Sequence, residues 1–171
     1  MSHAPLNVLF LCTHNSARSI LSEAVLNHLS QRQASGRFKA YSAGSSPREN
    51  QQPNPLAIEA LNAAGIETNY LTSKSWDAFA GENAPHMDLI ITVCDNAANE
   101  VCPVWPGHPA TAHWGYADPS LVQGSHEQRL DAFRKTLQMI GQRLELLVQL
   151  PEHALEAEAL AQSARELAGK G

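Results

Sequence analysis

The feature that most constrains this chain lies near its start. Leu6-Asn-Val-Leu-Phe-Leu11 is an almost unbroken apolar run of strand length, read as a buried strand. Residues 12–18 are small and polar, and from Arg18 or Ser19 onward Ile20, Leu21, Ala24, Val25, His28 and Leu29 recur at helical spacing. A strand that passes through a short polar loop into a helix is one half of a strand–helix–strand unit, and the pattern repeats. Phe38 to Ser42 reads as a second strand closed by Ala43-Gly44. Asn54-Pro55 opens a second helix, which carries Leu56, Ile58, Ala60 and Leu61 and stops at Gly65. A turn of helix is expected around Trp76 to Phe79, and a strand from Met87 to Val93. A long loop rich in proline and glycine follows over 95–110, with a brief last strand at His113-Trp114. The longest helix carries Leu130, Phe133, Leu137, Ile140, Leu144 and Leu147. Strands alternating with helices predict an α/β domain with a parallel sheet covered by helices on both faces, over residues 1–150. Residues 151–171, rich in Ala and Glu with a thin stripe of Leu155, Leu160 and Leu167, read as a tail, helical and loosely attached or disordered.

The first loop carries the chemistry. In Cys12-Thr13-His14-Asn15-Ser16-Ala17-Arg18-Ser19 three effects meet. Backbone N–H groups of a tight loop feeding a helix N-terminus form an anion cradle. The same positive end favours the thiolate of a cysteine at its mouth. Arg18 can grip two oxygens of a tetrahedral oxyanion. Ser19 can donate its hydroxyl to the thiolate, while Asn15 and Ser16 tie the loop backbone into shape. The plain alternative is an inert buried cysteine at a strand end with a surface arginine after it. No Gly-Lys-Ser loop accompanies the motif, so nucleotide binding has no support.

Composition narrows the partners. At 171 residues the chain can bury roughly two thirds of its unfolded surface, enough for a core without staples. A formal net charge of -5 argues against a nucleic-acid or anionic-membrane face but not against a small anion held by a local loop. The N-terminus lacks the pattern of a signal peptide, and no apolar run approaches the roughly 18–20 residues of a membrane span. A cytoplasmic home is expected. There the three cysteines, Cys12, Cys94 and Cys102, serve chemistry or core rather than a disulfide framework.

Val8-Leu-Phe-Leu-Cys-Thr-His-Asn-Ser-Ala-Arg-Ser19 resembles the signature of the low-molecular-weight protein tyrosine phosphatase superfamily, and more closely that of the arsenate reductases built on the same fold. The resemblance continues in order through Tyr41-Ser-Ala-Gly44, Asn54-Pro55, Thr72-Ser-Lys-Ser75, Val93-Cys-Asp95, Cys102-Pro103 and His113-Trp-Gly-Tyr-Ala-Asp-Pro119, and covers about residues 6–148. It implies a four-stranded parallel sheet, flavodoxin-like in outline, with the active site at the carboxyl end of the first strand. It also implies that the loop of residues 13–19 binds arsenate, with phosphate or sulfate as competing anions, and that Cys12 attacks the arsenic. Asp118 is then the general acid. Chemistry asks for one, since a hydroxyl leaves far more easily as water. On its own, Asp118-Pro119 reads first as a common turn-forming pair.

In the relay members of the family a second cysteine attacks the cysteine–arsenic adduct, expelling arsenite, and a third carries the resulting disulfide outward. Cys94 and Cys102 occupy the matching places. No cofactor or metal is implied, only an external thiol reductant, thioredoxin or glutathione/glutaredoxin. Core thiols remain the alternative for both cysteines. A zinc set of Cys94, Cys102, His108 and His113 is disfavoured by its wide spacing. Several positions depart from the family pattern. His14 stands where glycine is common, and Ala17 where cysteine is common. Ser120 and Leu121 follow Asp118-Pro119 where phosphatases carry tyrosines. Lys74 stands where some arsenate reductases use an aspartate to hold potassium, so the lysine is expected to supply the charge and leave Asn15, Glu23 and Ser42 to serve the loop alone. The Cys94–Cys102 gap is one residue longer than in thioredoxin-linked members. A phosphatase using Cys12, Arg18 and Asp118 alone, or a non-catalytic oxyanion-binding module, are the competing readings.

Overall fold

The computed structural model describes residues 5–33, 36–94, 110–155 and 157–168. Four strands, β1 (Leu6–Cys12), β2 (Phe38–Gly44), β3 (Leu89–Thr92) and β4 (Thr111–His113), form one sheet in the order β2-β1-β3-β4. Every pairing is parallel, with Leu11 opposite Ala43 on one side and Thr92 on the other. Among the described residues four α-helices accompany it: α1 (Arg18–Gln33), α2 (Pro55–Ala63), α3 (His126–Val148) and α4 (Ala157–Leu167).

β1 is central, and its residues Val8, Leu9, Phe10 and Leu11 are fully buried, as a strand covered on both faces must be. Alternation along β1 splits the core in two. Val8, Phe10 and Cys12 join the larger cluster with the apolar faces of all four helices. Leu9 and Leu11 face the other way, with Ala43, Met87 and Ile90, beneath Tyr41, Trp76 and Phe79. Trp76–Phe79 is the expected turn of helix, a 3-10 turn capped by Ser75. Among the described residues the second face of the sheet is thus covered by a 3-10 helix, the first by α-helices.

Local signals set the helix ends. Asn54 caps α2 by accepting from Leu56 N at 2.9 Å, with Pro55 in the first turn. Gly65, at φ +76, follows its end. Ser125 and Gln128 form a capping box at the start of α3. Two strands are shifted from expectation. β3 begins at Leu89, because Asp88 already turns its backbone N–H onto Asn7 O and its carboxylate onto Asn7 N. β4 ends at His113; Trp114 still donates its backbone N–H to Thr92 O at 2.7 Å, while its side chain joins the core.

The tail differs most from a loosely attached helix. α4 seats Leu160, Ala164 and Leu167 in the main core. Trp114 Nε1 donates to Ala164 O at 2.8 Å, and Arg165 Nε donates to Thr111 O at 2.9 Å, which pins the helix against the β4 edge. A thin apolar stripe suffices because its leucines meet a buried indole rather than water.

Candidate active site

Cys12 ends β1 and Arg18 begins α1, so the intervening loop sits at the carboxyl edge of the sheet. From Cys12 to Arg18 every carbonyl is turned onto a donor outside the loop's hollow. Cys12 O accepts from Ser45 N at 3.0 Å, Thr13 O from Ser46 N at 2.8 Å, Ser16 O from Asn54 N at 2.9 Å and Ala17 O from Leu21 N at 2.8 Å. Side chains supply the remaining three: Gln51 Nε2 to His14 O at 2.6 Å, Ser73 Oγ to Asn15 O at 2.6 Å and Ser22 Oγ to Arg18 O at 2.8 Å. A planar trans peptide points its N–H opposite to its C=O. The amides of the loop therefore face inward, in the arrangement that binds an anion at a helix N-terminus. Asn15 N donating to Cys12 Sγ at 3.1 Å is a direct instance.

Cys12 is a free, buried thiol. Its sulfur also lies 2.9 Å from Ser19 Oγ. That hydroxyl already accepts from Asn15 Nδ2 at 2.8 Å, so its hydrogen is available to the sulfur. Asn15 is the keystone. It holds a left-handed φ of 55, is fully buried, and joins Ser19 and Ser42 through Nδ2 and Lys74 N through Oδ1. The loop's unusual backbone angle thus falls on Asn15, a residue that tolerates it, and not on His14. His14 is exposed at the rim, its Nδ1 3.0 Å from Ser46 O. Ala17 packs into the main core.

Gly44 makes the loop's backing feasible. A Cβ there would lie 2.6 Å from Thr13 O and 2.8 Å from His14 C, so only glycine lets β2 approach this closely. Behind it, Ser42 Oγ donates to the buried Glu23 carboxylate, and Lys74 Nζ donates to Ser42 O at 3.2 Å and Thr72 O at 2.6 Å. Burial pushes the Glu23 carboxyl up, against the opposing pull of Lys74 and Ser42. Burial likewise pushes the Lys74 ammonium down, against the pull of Glu23. Among the described residues no group of three or more His, Cys, Asp or Glu side chains is placed to hold a metal ion.

At the front, Arg18 Nη1 donates to Tyr116 O at 2.9 Å and Nη2 lies 3.6 Å from Asp118 Oδ2. Asp118 caps a 3-10 turn, Pro119–Leu121, its Oδ1 accepting from Ser120 N at 2.9 Å and Ser120 Oγ at 2.7 Å. The candidate acid is therefore brought to the candidate anion grip from 100 residues away in sequence. Leu121 beyond it is 75% exposed and offers no aromatic wall.

Cys94 lies just past β3, the neighbour of β1. Val93 N donates to Leu11 O at 3.0 Å, which puts Cys94 beside the Cys12 end of the sheet. Cys94 is buried and disulfide-bonded, whereas Cys12 is not. Gly115 keeps the Asp118 loop close to it, since a Cβ there would lie 3.2 Å from Cys94 O. Cys102 and His108 lie outside the described residues. His113 Nδ1 meets Thr92 Oγ1 at 2.7 Å. Sequence reasoning passed over Gln51, which braces backbone and carries no motif, and gave no role to Ser73 or Tyr116 although both fall within the stretches that carry the resemblance. It also passed over Arg143, a charged residue between Ile140 and Leu144 on the apolar stripe, which could have been noticed.

The family described as low molecular weight phosphotyrosine protein phosphatase matches residues 7–163. The chain belongs to that family. Among its curated relatives is an arsenate reductase of Bacillus subtilis (strain 168), 36% identical over 137 residues, covering 80% of this chain and 91% of the relative. Solved structures agree. An arsenate reductase from Archaeoglobus fulgidus DSM 4304 superposes with a TM-score of 0.65 at 26% identity, covering 84% of this chain and 99% of that one. An arsenate reductase in its phosphate-binding state gives a TM-score of 0.63 at 25% identity over 84% and 96% of the two chains. The family's arsenate-reductase members are thus relatives that this chain resembles in both sequence and fold. Among the described residues no helix is long and apolar enough to cross a membrane.

Proposed function

We propose that this chain reduces arsenate to arsenite. Arsenate binds in the hollow of residues 13–19 against the inward amides and the Arg18 guanidinium, where phosphate or sulfate would compete. The Cys12 thiolate, held by Asn15 N and Ser19 Oγ, attacks arsenic and forms a sulfur–arsenic bond. Asp118 gives a proton to the departing hydroxyl, which leaves as water. A second thiolate, that of Cys94 or of a small thiol, then attacks the Cys12 sulfur. The sulfur–arsenic electron pair stays with arsenic, arsenic(V) becomes arsenic(III), and two thiolates become one disulfide. Cys102 and an external dithiol, thioredoxin or glutathione with glutaredoxin, return the sulfurs to the reduced state. Such a cycle needs the reducing cytoplasm and no bound cofactor or metal. Lys74 lies in the polar pocket with Glu23 and Ser42 and supplies the positive charge there. No nucleic-acid or membrane partner enters the cycle.

The observation that carries this reading is the free Cys12 thiol inside a loop whose carbonyls are all engaged outside it, with a disulfide-bonded Cys94 just past the neighbouring strand. The decisive measurement is arsenite release with thioredoxin or glutathione–glutaredoxin supplied in turn, for wild type and for Cys12→Ser, Cys94→Ser and Cys102→Ser. Cys12→Ser should abolish release. If Cys94→Ser and Cys102→Ser both keep full turnover of a phosphomonoester while wild type releases no arsenite, the chain is a phosphatase. If Cys12 alkylates no faster than a free cysteine at neutral pH, it is an oxyanion-binding module instead.

A further inference from the structure

Arg143 projects from α3 into the core and is only 8% exposed. Its guanidinium lies 5.0 Å from the centroid of the Tyr116 ring and 5.6 Å from that of Trp114. Both distances are within cation–π range. Trp114 cannot drift, since its backbone N–H donates to Thr92 O at 2.7 Å and its indole N–H to Ala164 O. The guanidinium therefore joins the Tyr116 ring to a fixed indole. Tyr116 in turn offers its carbonyl to Arg18 Nη1 at 2.9 Å, while its own N–H reaches Val93 O at a long 3.4 Å. The backbone alone holds Tyr116 loosely, and its ring is where it is gripped.

Stability is a poor reason for this arrangement. Taking a guanidinium out of water is costly, and an apolar side chain of similar volume is often neutral or better in such a place. A charge kept on the apolar stripe of α3, against the residue whose carbonyl holds Arg18, calls for another role. We infer that Arg143 is a positioning residue for oxyanion binding: by lying over the Tyr116 ring it sets the Tyr116 carbonyl, and through that carbonyl the angle at which the Arg18 guanidinium receives the anion. The inference rests on the proposal that the Cys12 loop binds an oxyanion.

The test uses the reduced full-length chain, with inorganic phosphate as the probe and iodoacetamide alkylation of Cys12 as the readout. Arg143→Met should raise the phosphate concentration that gives half-protection by about tenfold, the loss of one well-set charged hydrogen bond. Its unprotected alkylation rate against pH should stay within about twofold of wild type, since Asn15 N and Ser19 Oγ hold the sulfur from elsewhere. Arg143→Lys should also weaken protection several-fold, because a compact ammonium does not span the Tyr116 and Trp114 rings as the guanidinium does. It carries the test if the methionine variant does not fold. Half-protection unchanged in a folded variant overturns the inference, even if melting falls. Loss of folding in both variants assigns Arg143 to stability alone and overturns it too. Wild type unprotected by phosphate would instead sink the anion-loop reading itself.

Discussion

Two pairs of opposite charge flank the Cys12 loop, and they are built differently. Behind it, Glu23 and Lys74 meet through Ser42, with the carboxylate buried and the ammonium spent on two carbonyls. In front, Arg18 and Asp118 stand 3.6 Å apart, the first 6% and the second 25% exposed, and each also leans on a neighbour, Tyr116 O or Ser120. The rear pair is sealed into backbone and can only fix shape. The front pair is wider, and its carboxylate is partly open to solvent. An arginine held too tightly would have nothing left to offer a substrate, and a loop held too loosely would not aim its amides.

That contrast can be broken from either side. The largest effect is expected at the front. Arg18→Ala should raise the phosphate concentration for half-protection of Cys12 by about a hundredfold, through the loss of two charge-assisted hydrogen bonds. At the rear, Gly44→Val should destabilise by about 2 kcal/mol, measured by denaturant unfolding, because the added carbons press on Thr13 and His14. It should also slow Cys12 alkylation as the loop deforms.

Glu23 sharpens the comparison through pH. Its folded pKa is raised above the unfolded value of about 4.5, so the folded state holds its proton longer. Its contribution is then fully present below that unfolded value and is lost as pH rises through the folded one. Lys74, with its folded pKa lowered below 10.5, acts in the opposite sense at the alkaline end, where stability rises with pH. Glu23→Gln should flatten the decline on the acidic side of neutrality in unfolding free energy measured across pH. A decline that persists in the variant would mean another group is responsible. The smallest effect belongs to Ser120→Ala. One hydrogen bond to Asp118 Oδ1 remains from the backbone, so arsenite release should fall only a few-fold.

Much of this was legible beforehand, for identifiable reasons. The β1–loop–α1 unit announces itself because its strand is covered on both faces and its helix is periodic. Asn54-Pro55 and Gly65 mark the ends of α2 through backbone rules that act locally. The tail was harder. Leu155, Leu160 and Leu167 look too few to hold a helix until Trp114 is known to be waiting for them. The bracing residues were harder still. Gln51 and Ser73 act on carbonyls far away in sequence, and nothing about either residue type marks it in advance. Arg143 broke the apolar pattern of α3 in plain view, but only its two aromatic neighbours give the break a meaning.

The amino-acid order by itself determined which loop could hold an anion and which sulfur could attack it, since a strand end, a helix start and the Cys12–Arg18 spacing are all encoded within a dozen residues. Tertiary structure alone decided how that loop is aimed. The carbonyls of Cys12 to Ser16 are turned outward by donors from residues 45–54 and from Ser73, and the arginine is set by a carbonyl from residue 116. Hydrogen bonds depend on distance and angle in space, and chain separation carries no information about either until the sheet has brought its carboxyl ends together.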